Sequence, residues 1–363
     1  MSGLAAAPAL AQSGWTVRVH EKDSALRELG AGILVWENGL RALESIGAYD
    51  AVISNSEKVA PNLSDHSGRI LERNWMTWRR LYAVPRKHLH ESLANAARGA
   101  GVEILTDSEA VGAKPDGTLV LASGEQLKAD LVIGADGVSS PVRNSLGLLD
   151  RAVDLRDGGG RYMIDRRPED PVGETFEQWN GGRRIGIVPC SPTEVYIFLC
   201  CPTDDREGVR QTPFDPTTWI ESFPQWADQL RRIPLDTDSH FATFRDIYTH
   251  SWSSGRVALI GDAAQGMSPN LGQAACMAMM NGVSLARAVS VAPDIEDALA
   301  DWEANERPVS EKVQRYSRVY GKVGTKWPVF AQGLRSVLVR SIAGSPGFQR
   351  RLNFAADYSP SAD

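Results

Sequence analysis

A chain of 363 residues with 42% hydrophobic and 23% charged side chains has the make-up of a globular protein, and enough length for two domains. Its formal charge of −6 leaves no basic footprint for nucleic acid, and no run of about 18 uncharged apolar residues offers a membrane span. Cys190, Cys200, Cys201 and Cys276 lack C-x-x-C spacing and two are adjacent, which speaks against a zinc site or a disulfide framework.

In chain order, MSGLAAAPALAQSGWTVRVHEKD reads as an amphipathic helix from Gly3 to Gln12, a turn at Ser13-Gly14, and a strand from Trp15 to His20 closing on Glu21. That is the back half of a dinucleotide-binding βαβ unit. Of its G-x-G-x-x-G turn only the last glycine, Gly3, is in place, and Glu21 stands where such a unit puts the acid that binds ribose hydroxyls. Two accounts are open: Met1 is an internal residue of a longer reading frame, or the preceding strand is lost and its neighbours keep unpaired backbone groups. Pro8 is discordant, because proline beyond the first turn of a helix costs about 3 kcal/mol.

NGLRALESIGAYDAVI has the apolar spacing of one helix, and YAVPRKHLHESLANAARGAG reads as strand, Arg-containing turn and helix ended by glycine. Short strands follow, with turns at Pro115-Asp116-Gly117 and Ser123-Gly124, predicting a mostly parallel sheet with an antiparallel meander. ADLVIGADGVSSPVR then runs a buried strand into Gly134, Asp136-Gly137 and Arg143. Asp136 there can orient loop amides or a sugar hydroxyl, or merely serve the turn. From Arg151 to Tyr248 the texture turns β-rich, as in RRIGIVP and EVYIFLC, with one helix near 217–230.

The α/β pattern returns in GRVALIGDAAQGMSPNLGQAACMAMMNGVSLARAV. Asp262 follows a strand at the carboxyl edge of the sheet, where α/β folds bind ligands. The Pro269–Gln273 loop leads into a helix whose first amides would face an electron-rich group such as a reduced flavin ring. The tail from Ala298 is helical and amphipathic, suited to packing on the body or to a subunit contact.

These pieces in this order, with the R-x-x-L-x-x-x-L of RKHLHESL between the first two, resemble the single-component FAD-dependent aromatic-ring hydroxylases over nearly the whole chain. The resemblance implies an α/β fold: a discontinuous Rossmann-like FAD-binding domain (1–60, 80–150, 249–297), an inserted β-rich substrate domain (61–79, 151–248) and C-terminal helices (298–363). It implies that Gly3, Glu21, Arg86, Asp136, Asp262, Pro269, Gly272, Gln273 and Ala274 hold FAD. Glu21 would lie at the adenosine ribose, Arg86 on the FAD backbone, Asp136 where flavin and nicotinamide approach, and Asp262 at the ribityl chain. Gln265 stands where the family commonly has histidine, and Ala274 where glycine is usual.

The stretch from Gly14 to Asp50 is similar to members that oxygenate and open hydroxypyridine carboxylates. By that likeness Arg161 and Arg184 would meet the substrate carboxylate and Tyr196 the ring, with Asn62 in place of a second tyrosine. Without it the two arginines read as solvated strand charge. The implied activity is hydroxylation of a small aromatic or N-heteroaromatic carboxylic acid with NAD(P)H and O2, the flavin carrying the chemistry and no side-chain catalyst required. A flavin reductase of the same fold, or a truncated non-catalytic relic that binds an aromatic ligand, is the alternative. Neither nucleic acid nor membrane is an expected partner, a homo-oligomer is open, and a cytoplasmic location is expected from the cysteine usage and from an N-terminus without a basic-then-apolar leader.

Overall fold

The computed structural model describes residues 1–26, 31–73, 79–210, 213–236, 241–343, 345, 347 and 354–359. The first helix, Ser2–Gln12, is buried along Leu4, Ala5, Ala6, Ala7 and Leu10. Its small side chains let the Ala274–Val291 helix cross it closely: a β-carbon on Gly282 would come within 2.9 Å of the Ser2 carbonyl oxygen and 3.2 Å of the Ala6 nitrogen. Pro8 stays inside the helix and is buried, so packing offsets the missing amide. The Ala274–Val291 helix is long and apolar enough to cross a membrane, and 61% of it is buried inside the fold, as a core helix is.

Around the first helix, parallel strands come as two pairs. Arg18–His20 lies beside Glu103–Leu105, with Val19 opposite Ile104; Val132–Gly134 lies beside Val257–Leu259, with Ile133 opposite Ala258. Among the described residues no ladder joins the pairs, and the first helix supplies side chains to the hydrophobic clusters around both. The antiparallel meander is Ala110–Lys114, Thr118–Leu121 and Gln126–Lys128.

A seven-stranded sheet forms the other half, in the spatial order Ala242–Thr249, Leu149–Asp165, Glu194–Pro202, Arg183–Pro189, Glu174–Asn180, Ala60–Ser64 and Ile70–Arg73. Its period-two alternation sorts two faces. Tyr162, Ile164, Ile185, Ile187, Ile197 and Leu199 pack with Trp219 and Phe223 into one core. The alternate positions Arg161, Arg184, Tyr196, Phe198 and Cys200 therefore stand on the opposite face, with Arg161 opposite Phe198 and Arg184 opposite Cys200.

Two expected helices are broken, each for a local reason. NGLRALESIGAYDAVI forms Glu37–Ser45 and Tyr49–Ile53, separated at Gly47, whose φ of 72° ends the first. The segment near 217–230 forms Thr217–Ser222 and Ala227–Arg231 with a 3-10 turn between them at Pro224, which has no amide to continue the helix. The opening strand is also shorter than expected, Arg18–His20. The tail begins as a single 31-residue helix, Ile295–Thr325, capped by Asp294, whose carboxylate accepts from the amides of Glu296 and Asp297.

Candidate active site

A cavity of about 910 Å³ lies against the Arg161–Tyr196 face of the large sheet, and it also reaches the Gly32–Trp36 strand and the Pro269–Gln273 loop. The two sheets meet where Gly32 abuts Tyr196: a β-carbon on Gly32 would fall 2.5 Å from the tyrosine Cβ, so only glycine fits. Next to it Gly272 adopts φ 63°, and a β-carbon there would stand 3.4 Å from Trp36 Nε1. Trp36 lines the cavity, and its indole nitrogen is buried at the edge of it with no hydrogen-bond partner among the described residues. Beyond the loop, the Ala274–Val291 helix starts without a side-chain cap, its first residues facing the cavity.

An orphaned N–H donor, a glycine-shaped gap and uncapped helix amides are what a flat, electron-rich ring with acceptor atoms would satisfy. These residues fit the flavin of FAD. Asp262, at the start of the short Asp262–Gln265 helix, is reached from the cavity yet ringed by protein. Although Asp262 is exposed to the cavity, the protein packed around it lifts its carboxyl above the usual carboxylate range, and nearby Arg86 and Arg161 draw it back. Burial likewise pushes the Tyr196 phenol up to about 12, with the Arg161 guanidinium opposing, so at neutral pH it is a hydrogen-bond donor.

Of the residues singled out from sequence, Arg86, Arg161, Arg184, Tyr196, Asn62, Asp262, Pro269, Gly272, Gln273 and Ala274 all line this one cavity. Gly3, Glu21 and Asp136 do not. Gly3 packs against Ala135, 3.1 Å from where its β-carbon would be, while Met1 and Ser2 reach the cavity instead. The Glu21 carboxylate, past the end of the Arg18–His20 strand, accepts from the Asp23 amide at 3.1 Å. Asp136 is exposed, and its carboxylate accepts from the Val142 amide at 3.0 Å, bracing the loop whose Ala135 and Gly137 line the cavity.

The solvated reading of Arg184 is overturned. It is 2% exposed, donates to the Asn270 side-chain oxygen and lies 3.8 Å from Glu177. Trp36, Glu177, Asn270 and Tyr320 line the cavity without having been singled out. Glu177 follows Phe176 in an ordinary strand alternation, and Tyr320 sits far along the C-terminal helix, so neither carries a local sequence signal. Asn270 lies within a loop already marked, and the unusual Trp in LVWENG is the one available hint.

The FAD binding domain family matches residues 1–317. A 2-heptyl-3-hydroxy-4(1H)-quinolone synthase from Mycobacteroides abscessus is 38% identical over 349 residues, covering 94% of this chain and 93% of that protein. The probable 2-heptyl-3-hydroxy-4(1H)-quinolone synthase AqdB2 from Rhodococcus erythropolis is 37% identical over 325 residues, covering 87% and 84%. The solved tetrameric form of 2-methyl-3-hydroxypyridine-5-carboxylic acid oxygenase superposes with a TM-score of 0.88 at 36% identity, over 99% of this chain and 94% of that one. With these likenesses over almost its full length, the chain belongs to the FAD binding domain family, as an FAD-dependent monooxygenase of aromatic substrates.

Proposed function

We propose that this monooxygenase hydroxylates a planar N-heteroaromatic ring bearing a ring oxygen, with NAD(P)H as reductant and O2 as oxygen source. The observation that carries the reading is the pairing of Arg161 and Tyr196 on one sheet face, beside Asp262 and opposite the Pro269–Gln273 loop. FAD, when bound and reduced, supplies the activated oxygen. The chain's own part is to bind, orient and desolvate. Tyr196 and Arg161 both donate to the ring oxygen, and together they fix the ring's orientation against the flavin side of the cavity. Phe198 and Phe244 wall the cavity and exclude water from the ring. Arg86 and Asp262 would hold the cofactor's sugar and phosphate portion, and Trp36 with the first amides of the Ala274–Val291 helix would meet its ring.

Two substrate classes fit this frame. An uncharged 4-quinolone is favoured, because the buried Arg184 already has Glu177 3.8 Å away as a counter-charge and donates to the Asn270 side-chain oxygen. The relatives named for quinolone oxidation support it. A hydroxypyridine carboxylate, with ring opening, is the second reading; it rests on Arg161 as the carboxylate partner and on the likeness to the hydroxypyridine-carboxylate oxygenase. A homo-oligomer, as in that solved tetramer, and a cytoplasmic location belong to the same proposal, the latter supported by four free cysteines.

The test is to load the protein with FAD, add NADH or NADPH, and follow flavin reduction with 4-quinolone, a 2-alkyl-4-quinolone and 3-hydroxypyridine-5-carboxylate, weighing products by mass. A quinolone that speeds reduction and gains one oxygen atom supports the first reading, and a ring-opened acid supports the second. Reductant oxidation without oxygen in any organic product would leave a reductase.

A further inference from the structure

The Glu177 carboxylate has no task in the chemistry above, yet it opens onto the substrate end of the cavity among aromatic side chains. Its environment is built. Oε1 accepts from the Trp179 indole N–H at 2.7 Å, Oε2 accepts from the Tyr320 hydroxyl at 3.0 Å, and an Arg184 nitrogen stands 3.8 Å away. Burial and Glu177 itself push the Tyr320 phenol well above its usual range, so this hydroxyl remains a donor to the carboxylate. The fold thus fixes the rotamer of Glu177 from two sides and balances its charge from a third.

An ionised carboxylate is acceptor-only and offers about four lone-pair sites. Trp179 and Tyr320 occupy one on each oxygen. What remains opens onto the cavity, where Leu63 and Phe198 on the same face cannot donate and the Arg184 guanidinium stands 3.8 Å away, beyond hydrogen-bond reach. Phenolic substrates with only an ionised ring oxygen would be repelled there, whereas a ring N–H would be welcomed.

We propose that Glu177 accepts a hydrogen bond from the ring N–H of the substrate, and so selects N–H heteroaromatic rings over N-alkylated or carbocyclic ones. The proposal rests on the N-heteroaromatic reading above and assigns the residue that enforces it. A site built to accept a substrate N–H rejects an analogue without it far more sharply than an apolar pocket rejects a missing methylene, because the buried acceptor is then left unpaired.

The experiment measures dissociation constants in the FAD-loaded protein, from the change in flavin absorbance, for 4-quinolone and 1-methyl-4-quinolone. Wild type is expected to favour the N–H compound by about tenfold or more. Glu177→Gln, whose amide can still accept from Trp179 or Tyr320, is expected to bring the two within about threefold, chiefly by weakening 4-quinolone. Tyr320→Phe removes a competing donor but leaves the carboxylate, and is expected to keep the preference. Equal binding of both compounds by wild type would overturn the inference and leave the proposed function standing; binding of neither would overturn both. A preference that survives Glu177→Gln but disappears in Tyr320→Phe would assign the recognition to the phenol instead. Should Glu177→Gln fail to fold, the wild-type comparison and Tyr320→Phe still decide.

Discussion

Gly32 and Tyr196 meet with no room for a β-carbon between the strand that carries the first and the sheet that carries the second. The tyrosine ring is therefore held in place by backbone, which is more rigid than another side chain. Gly32→Ala should move the ring or separate the sheets, at about 1–3 kcal/mol in stability. A lowered melting temperature together with weakened ring binding is expected. Unchanged values for both would mean that the ring is free to swing away.

Asp262→Ala should cost flavin retention more than fold stability, since the carboxylate opens onto the cavity and contributes little to core burial. Flavin content after gel filtration, compared with the melting temperature of the flavin-free protein, separates the two. Full flavin occupancy in the variant would remove Asp262 from the cofactor site.

Arg161 and Arg184 should answer differently to the same change. Arg184→Met removes a buried charge that donates to Asn270 and lies 3.8 Å from the partly buried Glu177, at about 1–3 kcal/mol, so the flavin-free protein should melt at a lower temperature. Arg161→Met, on a half-buried residue at the cavity wall, should leave melting nearly unchanged while weakening binding of a carboxylated ring by about tenfold or more. Identical melting behaviour of the two variants would contradict this division.

Asp246 supplies a pH dependence. It is fully buried 2.7 Å from Arg318, and burial, only partly opposed by that arginine, pushes its carboxyl up to about 6. The native state then holds a proton that the unfolded chain, with the ordinary value of 3.8, has released. Stability from this residue is therefore present below the unfolded value and is lost as pH rises through about 6. Asp246→Asn should remove that slope: the melting temperature of the variant relative to wild type should climb between pH 4 and pH 6. A difference independent of pH would show that Arg318 compensates the charge fully.

Much of this site could be read in the sequence, because its cofactor side is written in short-range grammar. The VALIGDAAQG strand-to-helix passage, the loop from Pro269 and the RKHL turn are contiguous stretches whose geometry follows from glycine, proline and apolar runs, and each reaches the cavity. Period-two alternation likewise puts Arg161, Arg184 and Tyr196 on one face, although it cannot tell that Arg184 is buried against Glu177 from the neighbouring strand. That pairing depends on register, which no local pattern fixes. Gly3, Glu21 and Asp136 stay outside this cavity: a spacing that suits ligand binding equally suits a tight helix contact, a strand end and a loop brace. Pro224 and Gly47 are visible too, but an apolar period running across them outweighs their punctuation.

The four cysteines, which at first serve only to exclude a metal site, make the folded protein its own clock. All are free and buried, and burial pushes the Cys190 and Cys276 thiols up to about 12, far from the reactive thiolate. Modification of Cys190, Cys201 and Cys276 by a thiol reagent must therefore wait for the fold to open, whereas Cys200 is approached from the cavity. Cys276 lies under the strand that ends in Trp36, and Cys200 lies in the cavity wall. Labelling rates resolved by residue would separate opening beneath the Trp36 strand from access to the cavity, without an engineered cysteine.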